Sequence, residues 1–257
     1  MAAIHCRLIG ADMSDYAVRI TRLNYTYPDG TKALEGIDLD VSCGERIAIV
    51  GPSGAGKSTL LLHLNGVLEG TGSVRIMGMI LNSSNLQQIR KQVGLLFQDP
   101  NDQLFCPTVF EDIAFGPMNL SVPAGEIPRR VEKALNDSGL DYSFRSRPSH
   151  HLSLGERRRV SLATVLAMEP AVLGMDEPTS NLDPRNRRHL IEVISGLKAT
   201  LIIATHDLEL VLDVCSRTVL MDHGKIWADG ETRAMLADAP LMEMHGLEVP
   251  LSLKHRT

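Results

Sequence analysis

At 257 residues, 44% of them hydrophobic, the chain can bury the core of one large domain, or of one domain with an inserted lobe. A formal net charge of −5 with no basic block gives no reason to expect a nucleic-acid or anionic-lipid surface. Apolar runs such as 199–204 fall far short of the roughly 20 residues that span a bilayer. Residues 1–11, with His5 and Arg7 inside a very short apolar run, lack the pattern of a secretory signal, so a cytoplasmic protein is expected. Cys6, Cys43, Cys106 and Cys215 are scattered with no CxxC pair, and read as reduced thiols serving as small hydrophobes. Of the nine histidines only His150 and His151 adjoin. Neighbours on an extended chain point to opposite sides and chelate poorly, so no metal cage of protein ligands is expected.

In chain order, residues 1–17 read as a flexible N-terminus with Met1 or Met13 as the start. Val18–Leu23 and Ile37–Val41 read as edge strands. Arg46–Val50 (RIAIV) is a β-branched run stopping at Gly51, the profile of a buried strand. A helix is predicted over Ser58–Gly66 and a strand over Val93–Phe97. From about residue 99 to 161 the texture changes, with Pro100, Pro107, Pro117, Pro123 and Pro128 between helical stretches, and an inserted helical lobe is expected. Strong β runs return at Ala171–Met175, Thr200–Ala204 and Thr218–Met221, and the helical patterns between them suggest parallel βαβ units. The main domain is placed at 18–230. A C-terminal appendix at 231–257 is helical over Thr232–Asp238, interrupted at Pro240, and read as facing a dimer partner.

The run Gly51-Pro52-Ser53-Gly54-Ala55-Gly56-Lys57-Ser58-Thr59 fits G-x-x-x-x-G-K-[ST] between a predicted buried strand and a helix, the context that motif requires. Its glycines let successive N–H groups point inward at phosphate beside a positive helix N-terminus. Lys57 is expected to reach the β- and γ-phosphates and the Ser58 hydroxyl to take a place on Mg²⁺. In Val172-Leu-Gly-Met-Asp176-Glu177 a buried strand ends in two acids. Asp176 is expected to hold the magnesium shell, and Glu177 to take a proton from the attacking water. Gly174 is an unusual strand residue, explained by close packing against a neighbouring strand.

Kinases, GTPases and motors also carry such a cradle. Leu152-Ser153-Leu154-Gly155-Glu156, followed by Arg157-Arg158-Arg159-Val160, resembles the LSGGQ signature of the ABC (ATP-binding cassette) ATPases, with Leu154 replacing the first glycine and Glu156 the glutamine. Physically, a serine hydroxyl and a glycine N–H at a helix start make a second anion site. The resemblance assigns Ser153 and Gly155 to the γ-phosphate bound by another subunit. It also matches Gln98 to the glutamine that senses magnesium and the attacking water, and Ser180-Asn181-Leu182-Asp183 to the loop across the dimer interface. His206 matches the switch histidine, and Tyr27 the aromatic that stacks on adenine, with Tyr25 as the competing choice. The resemblance covers about 18–230. It implies an α/β P-loop NTPase core with a mainly parallel sheet, an N-terminal antiparallel β portion and the inserted helical lobe, binding ATP and Mg²⁺.

Tyr27-Pro-Asp-Gly-Thr-Lys-Ala-Leu34, Gln98-Asp-Pro-Asn-Asp-Gln-Leu-Phe-Cys-Pro-Thr-Val109, Glu111-Asp-Ile-Ala-Phe-Gly-Pro117 and His150-His-Leu-Ser-Leu-Gly-Glu-Arg-Arg-Arg-Val160 are similar to the ATPases of energy-coupling factor (ECF) importers, most of all the CbiO-type cobalt/nickel branch. That resemblance implies a peripheral protein on the cytoplasmic membrane face, paired with a second ATPase subunit, as a homodimer or a heterodimer. It implies two membrane partners, a transmembrane coupling protein and a solute-binding protein, and no nucleic acid. A mixed acidic and apolar face formed by Asp99, Asp102, Leu104, Phe105, Glu111 and Asp112 is expected to receive a basic segment of the coupling protein. Cobalt or nickel leads as solute, with a vitamin such as biotin behind. The rival classes are a non-transport soluble ABC ATPase and a P-loop small-molecule kinase.

Overall fold

The structure is a computed structural model describing residues 16–254. The expectation for 1–17 falls outside those residues up to position 15. Tyr16 and Ala17 belong to a strand, and Ala17 is fully buried.

The chain divides into two compact units. Among the described residues, the first holds 16–95, Ala171–Glu177 and 198–254. Its smaller sheet contains β1 (Tyr16–Thr26), β2 (Lys32–Ser42), β4 (Thr71–Ile76) and β5 (Met79–Ile80), in the order β2-β1-β4-β5, antiparallel throughout. The strand expected at an edge, β1, is therefore interior, flanked on both sides. Its pairing with β2 carries register shifts, and Arg22 within it has φ 47°, so alternation fails mid-strand and the sequence shows only part of its length.

The larger sheet contains β3 (Arg46–Val50), β6 (Val93–Leu96), β7 (Val172–Asp176), β8 (Thr200–Ala204), β9 (Arg217–Asp222) and β10 (Lys225–Glu231). The order is β10-β9-β3-β8-β7-β6, with β9, β3, β8 and β7 mutually parallel and β10 antiparallel on β9. β3 and β8 are buried along nearly their whole length, as unbroken apolar runs in a parallel sheet require. A Cβ on Gly174 of β7 would come within 2.7 Å of the Leu95 side chain, so the glycine admits the neighbouring strand.

The P-loop helix α1 (Lys57–Leu64) touches β7 and β8 of the larger sheet and β2 and β4 of the smaller one. Covered from both sides, it buries Leu60, Leu61, His63 and Leu64 and shows no single apolar stripe. A short helix, α2 (Leu86–Gln92), precedes β6.

The second unit comprises Leu96–Pro170 and Pro178–Leu197. In it α3 (Val109–Asn119), α4 (Ile127–Asp137) and α5 (Leu154–Leu166) pack around Val109, Ile113, Val131, Leu135, Val160 and Ala163. α6 (Pro184–Gly196) lies on α5. Most prolines of this segment sit at helix starts, where the missing N–H costs nothing: Pro128 opens α4 and Pro100 a 3₁₀ turn. Pro117 is the one inside a helix, in the last turns of α3.

The chain returns to the first unit with α7 (Leu208–Val214), then α8 (Thr232–Ala237), α9 (Ala239–Met244) and α10 (Leu251–Lys254). Pro240 does not end the helical tail as a breaker but sits in the first turn of α9, where proline is tolerated. Cys106 and Cys215 are free thiols while Cys43 is disulfide-bonded, so the reading of all four cysteines as reduced does not hold for Cys43. No helix among the described residues is long and apolar enough to cross a membrane.

Candidate functional site

The parallel strands β3, β8 and β7 end side by side, and the chain segments leaving their carboxyl ends carry most of the expected chemistry, as open α/β sheets dictate. From β3 runs the Gly51–Thr59 loop. Gly54 (φ 80°) and Gly56 (φ 101°) take left-handed backbone, which bends the loop into a cradle of N–H groups at the start of α1. Lys57 is 8% exposed, and its Nζ donates to the carbonyls of Gly51 (2.7 Å) and Pro52 (2.9 Å) within its own loop. Burial pushes the Lys57 ammonium below the usual lysine range, while the nearby charges of Glu177 and Asp176 act against that shift. Ser58 is exposed. The Thr59 hydroxyl lies 3.0 Å from the Tyr27 hydroxyl, so Tyr27 is tied directly to the loop. Tyr25 instead packs edge-on against His63, with ring centroids 4.9 Å apart.

At the end of β7, Asp176 is half-buried and Glu177 is 8% exposed. Glu177 adopts φ 45°, a left-handed conformation costly for a non-glycine residue and common where function imposes it. Its N–H donates to the Ala204 carbonyl at 2.8 Å, which extends the β7–β8 ladder by one bond and anchors the turn. Its carboxylate is clamped from the end of β8. The Thr205 hydroxyl donates to Oε2 (2.8 Å), the His206 N–H to Oε1 (3.1 Å), and His206 Nδ1 lies 2.8 Å from Oε1. Facing a carboxylate, Nδ1 is the donor of that contact. The Thr205 N–H is itself bonded to the Ile49 carbonyl on β3, so the clamp and the cradle share one rigid frame. Thr205 was not singled out in the sequence. The signal was a hydroxyl residue directly after an apolar strand and before His206. The loop and strand ends thus bring together Tyr27, Gly51–Thr59, Asp176, Glu177 and His206, a set that fits a nucleoside triphosphate with its divalent ion: a buried cation in a glycine-bent loop at a helix start, an exposed serine and adjacent acids.

Gln98, Ser153, Gly155 and Asp183 belong to the second unit. Gln98 is exposed, two residues past the end of β6 and not directly after it. Ser153 caps α5 in a capping box with Glu156. Ser153 Oγ donates to Glu156 Oε2 (2.7 Å), as does the Ser153 N–H (2.8 Å), and Oγ accepts from the Glu156 N–H. The bond from Ser153 holds the Glu156 carboxyl below the usual range, with burial opposing and Arg147 and Arg159 adding to the shift. Gly155 lies so close to Asn186 that a Cβ would sit 2.4 Å from its side-chain Cγ. Asn186 is held in turn by Asp183, the N-cap of α6, whose Oδ1 accepts from the Asn186 N–H at 3.0 Å. The Asn186 amide bond is the main reason the Asp183 carboxyl lies below its usual range.

The sequence of residues 34–180 matches the family model described as ABC transporter. An ABC transporter ATP-binding protein of Gloeobacter violaceus is 52% identical over 91% of this chain and 97% of its own length. The energy-coupling factor transporter ATP-binding protein EcfA of Carboxydothermus hydrogenoformans is 45% identical over 93% of this chain and 89% of its own. Among solved structures, cbiO1 from Clostridium perfringens, described as part of the ABC transporter complex cbiONQ, superposes with a TM-score of 0.79 at 36% identity, covering 90% of this chain and 94% of that one. A dimeric ATP-binding cassette bound to ADP and Pi superposes with a TM-score of 0.75 at 26% identity, over 84% of this chain and 99% of that one.

Proposed function

The chain belongs to the ABC transporter ATPases, and from that premise we propose that it powers an importer of cobalt or nickel ions through the site at the ends of β3, β7 and β8. It is of the energy-coupling factor type and CbiO-like, an ATPase coupled to transport. The observation that carries the reading is the Glu177 carboxylate at the end of β7, fixed by Thr205 and His206 from the end of β8, the strand that lies between β7 and the β3 that leads to the Lys57 loop. The cobalt or nickel assignment is supported by the likeness of residues 98–117 and 150–160 to the CbiO branch.

In this reading the Tyr27 ring takes the adenine, and the N–H groups of Gly51–Thr59 with Lys57 take the phosphates. Ser58 and Asp176 would hold Mg²⁺, which when bound would neutralise charge on the phosphate oxygens, and Gln98 takes the magnesium- and water-sensing role that the family resemblance assigns to it. Glu177 accepts the proton of the water whose oxygen bonds to the γ-phosphorus, as the bond to the β–γ bridging oxygen breaks and ADP leaves with that electron pair. His206 holds Glu177 in place through Nδ1. Ser153 and Gly155 serve the γ-phosphate of a second subunit, a copy of this chain or a related ATPase. Thr205→Val keeps the shape but deletes a hydrogen bond to a charged group, and is expected to lower kcat about tenfold with ATP affinity unchanged. Wild-type turnover in that variant would remove Thr205 from the clamp.

The membrane coupling protein is proposed to dock on the second unit beside Gln98, at the cytoplasmic face. Two residues first expected on that face are corrected. Asp112 is 3% exposed and accepts from the Phe105 and Cys106 N–H groups (2.9 and 2.8 Å) and from Ser149 Oγ, so it is an internal strut. Leu104 is half-buried against the helical core. The exposed apolar surface is Phe105 (65%) and Phe115 (48%), whose rings meet edge to face at 4.9 Å, with Met118 nearby in α3. Phe105→Glu is expected to abolish co-purification of the coupling protein from solubilised membranes while leaving ATPase activity of the free chain intact. Undiminished recovery would sink the docking surface. The solute is tested by cobalt, nickel and biotin uptake in cells depending on this chain. Loss of metal uptake alone on Glu177→Gln supports the ion assignment, and loss of biotin uptake alone replaces it.

A further inference from the structure

Arg158, in the second turn of α5, is among the largest fully buried side chains of the protein, 1% exposed. In the sequence it is the middle of three consecutive arginines. Its guanidinium spans two loops of the second unit. Nη1 donates to the main-chain carbonyls of Phe97 (3.0 Å) and Gln98, and Nη2 to the Ser180 carbonyl (3.4 Å) and hydroxyl (3.2 Å). A buried cation is tolerated only where fixed acceptors replace water, and here the acceptors include backbone of both loops. From the Ser180 loop the chain runs to Asp183, which orients Asn186 against Gly155, back on α5. The result is a closed circuit: Gln98, Arg158, Ser180, Asp183, Asn186, Gly155.

We propose that Arg158 is a positioning residue that locks the Gln98 segment and the Ser180–Asp183 loop to the signature helix, so that the two loops shift together or not at all. A planar fork with two separated donor edges can serve both loops at once, whereas the single ammonium of lysine serves one. The Gln98 segment has a second tie to α5. Gln103 accepts from the Phe97 N–H (3.3 Å) and donates to the Ser161 carbonyl (2.9 Å) and Thr164 hydroxyl (2.7 Å). Loss of the guanidinium therefore loosens the loops without detaching the segment. The kinetic consequence rests on the role proposed above for Gln98; the structural claim does not.

The test uses the purified full-length chain as wild type, Arg158→Met and Arg158→Lys. Amide hydrogen exchange is followed in peptides covering 97–103, 178–183 and, as control, 51–59. Exchange in the first two is expected to quicken at least about tenfold in Arg158→Met, with the control unchanged. Arg158→Lys is expected to restore protection in one of the two loops. Should the methionine variant open globally, seen as quickened exchange in the control, the lysine variant decides. Unchanged exchange in either loop of Arg158→Met, or full restoration of both by lysine, overturns the proposal. In kinetics, Arg158→Met is expected to lower kcat about tenfold at unchanged ATP affinity, and to cost less than about twofold more once Gln98 is alanine. Equal losses in both backgrounds show that Arg158 does not act through Gln98 and overturn the positioning role. A fully active Gln98→Ala would instead fail the Gln98 assignment, leaving the exchange result to judge Arg158.

Discussion

Glu177→Gln is expected to lower ATP turnover about 10²- to 10⁴-fold, the range a positioned general base supplies, with ATP affinity within about twofold of wild type. Glutamine has the same shape, and an amide oxygen in the place of Oε2 still accepts from the Thr205 hydroxyl and, at 3.3 Å, from the His206 N–H. The left-handed turn at residue 177 and its bond to Ala204 are backbone features, so the substitution leaves them intact. What disappears is the basic oxygen. With the cradle whole and hydrolysis stalled, nucleotide should accumulate as ATP, and a pair of subunits closed around it should persist. Single-turnover kinetics separate the steps: binding as fast as wild type, followed by a chemical step slowed by the full factor. A variant that keeps a tenth or more of its turnover would take the base role from Glu177 and leave proton removal to another group.

His206→Ala is a milder lesion, because it removes one of the bonds holding Glu177 and not the base itself. Its side chain is 68% exposed, in contrast to the 11% exposed side chain of Glu177 it contacts. An exposed contact in high dielectric orients more than it stabilises, so the effect falls on kcat and not on folding.

The sequence pattern revealed features whose causes are local and hid those whose causes are tertiary. RIAIV and TLIIA are strands because nothing but a doubly covered parallel sheet accommodates such runs, and both expected spans match the structure residue for residue. The P-loop was legible because its glycines and lysine serve one continuous turn. β4 (TGSVRI) was not, since its glycine and exposed polar residues mask a strand that pairs by backbone along β1. β10 alternates between exposed and half-buried positions with no buried face, so period-2 patterning had little contrast to show. The same distinction holds in the sites. Glu177 followed from its place after a strand, whereas Thr205 and Arg158 acquire their roles from partners far along the chain, and Asp112 from the preceding loop together with the distant Ser149. For Arg158 and Asp112, charge at a helix position ordinarily predicts solvent. Only the partners brought together by the fold, accepting carbonyls for the arginine and donating loop N–H groups for the aspartate, make burial affordable.

Lys57→Ala is expected to weaken ATP binding at least about 30-fold, and ADP binding to a similar extent, with AMP binding changed little. The Lys57 ammonium is already inside the protein, held by two carbonyls of its own loop, and its position is set by α1 packed between two sheets. Binding phosphate exchanges those neutral acceptors for anionic oxygens, and each hydrogen bond to a charged group contributes about 1.5–3 kcal/mol. Burial, which depresses the lysine in the free protein, is the condition that makes the exchange favourable: a poorly hydrated cation has less water to lose when the anion arrives. The sign on stability is opposite. Removing the lysine frees Gly51 and Pro52 carbonyls but also removes a desolvated charge, so the free variant should melt within a few degrees of wild type. Lys57→Arg tests geometry against charge. The guanidinium is bulkier and planar, the loop is closed around a point charge, and arginine is expected to bind ATP no better than alanine. Calorimetric titration with ATP, ADP and AMP on the three proteins gives the answer. An arginine variant with wild-type affinity would mean that the loop needs only a positive charge; an alanine variant with wild-type affinity would mean that the N–H cradle alone holds the phosphates.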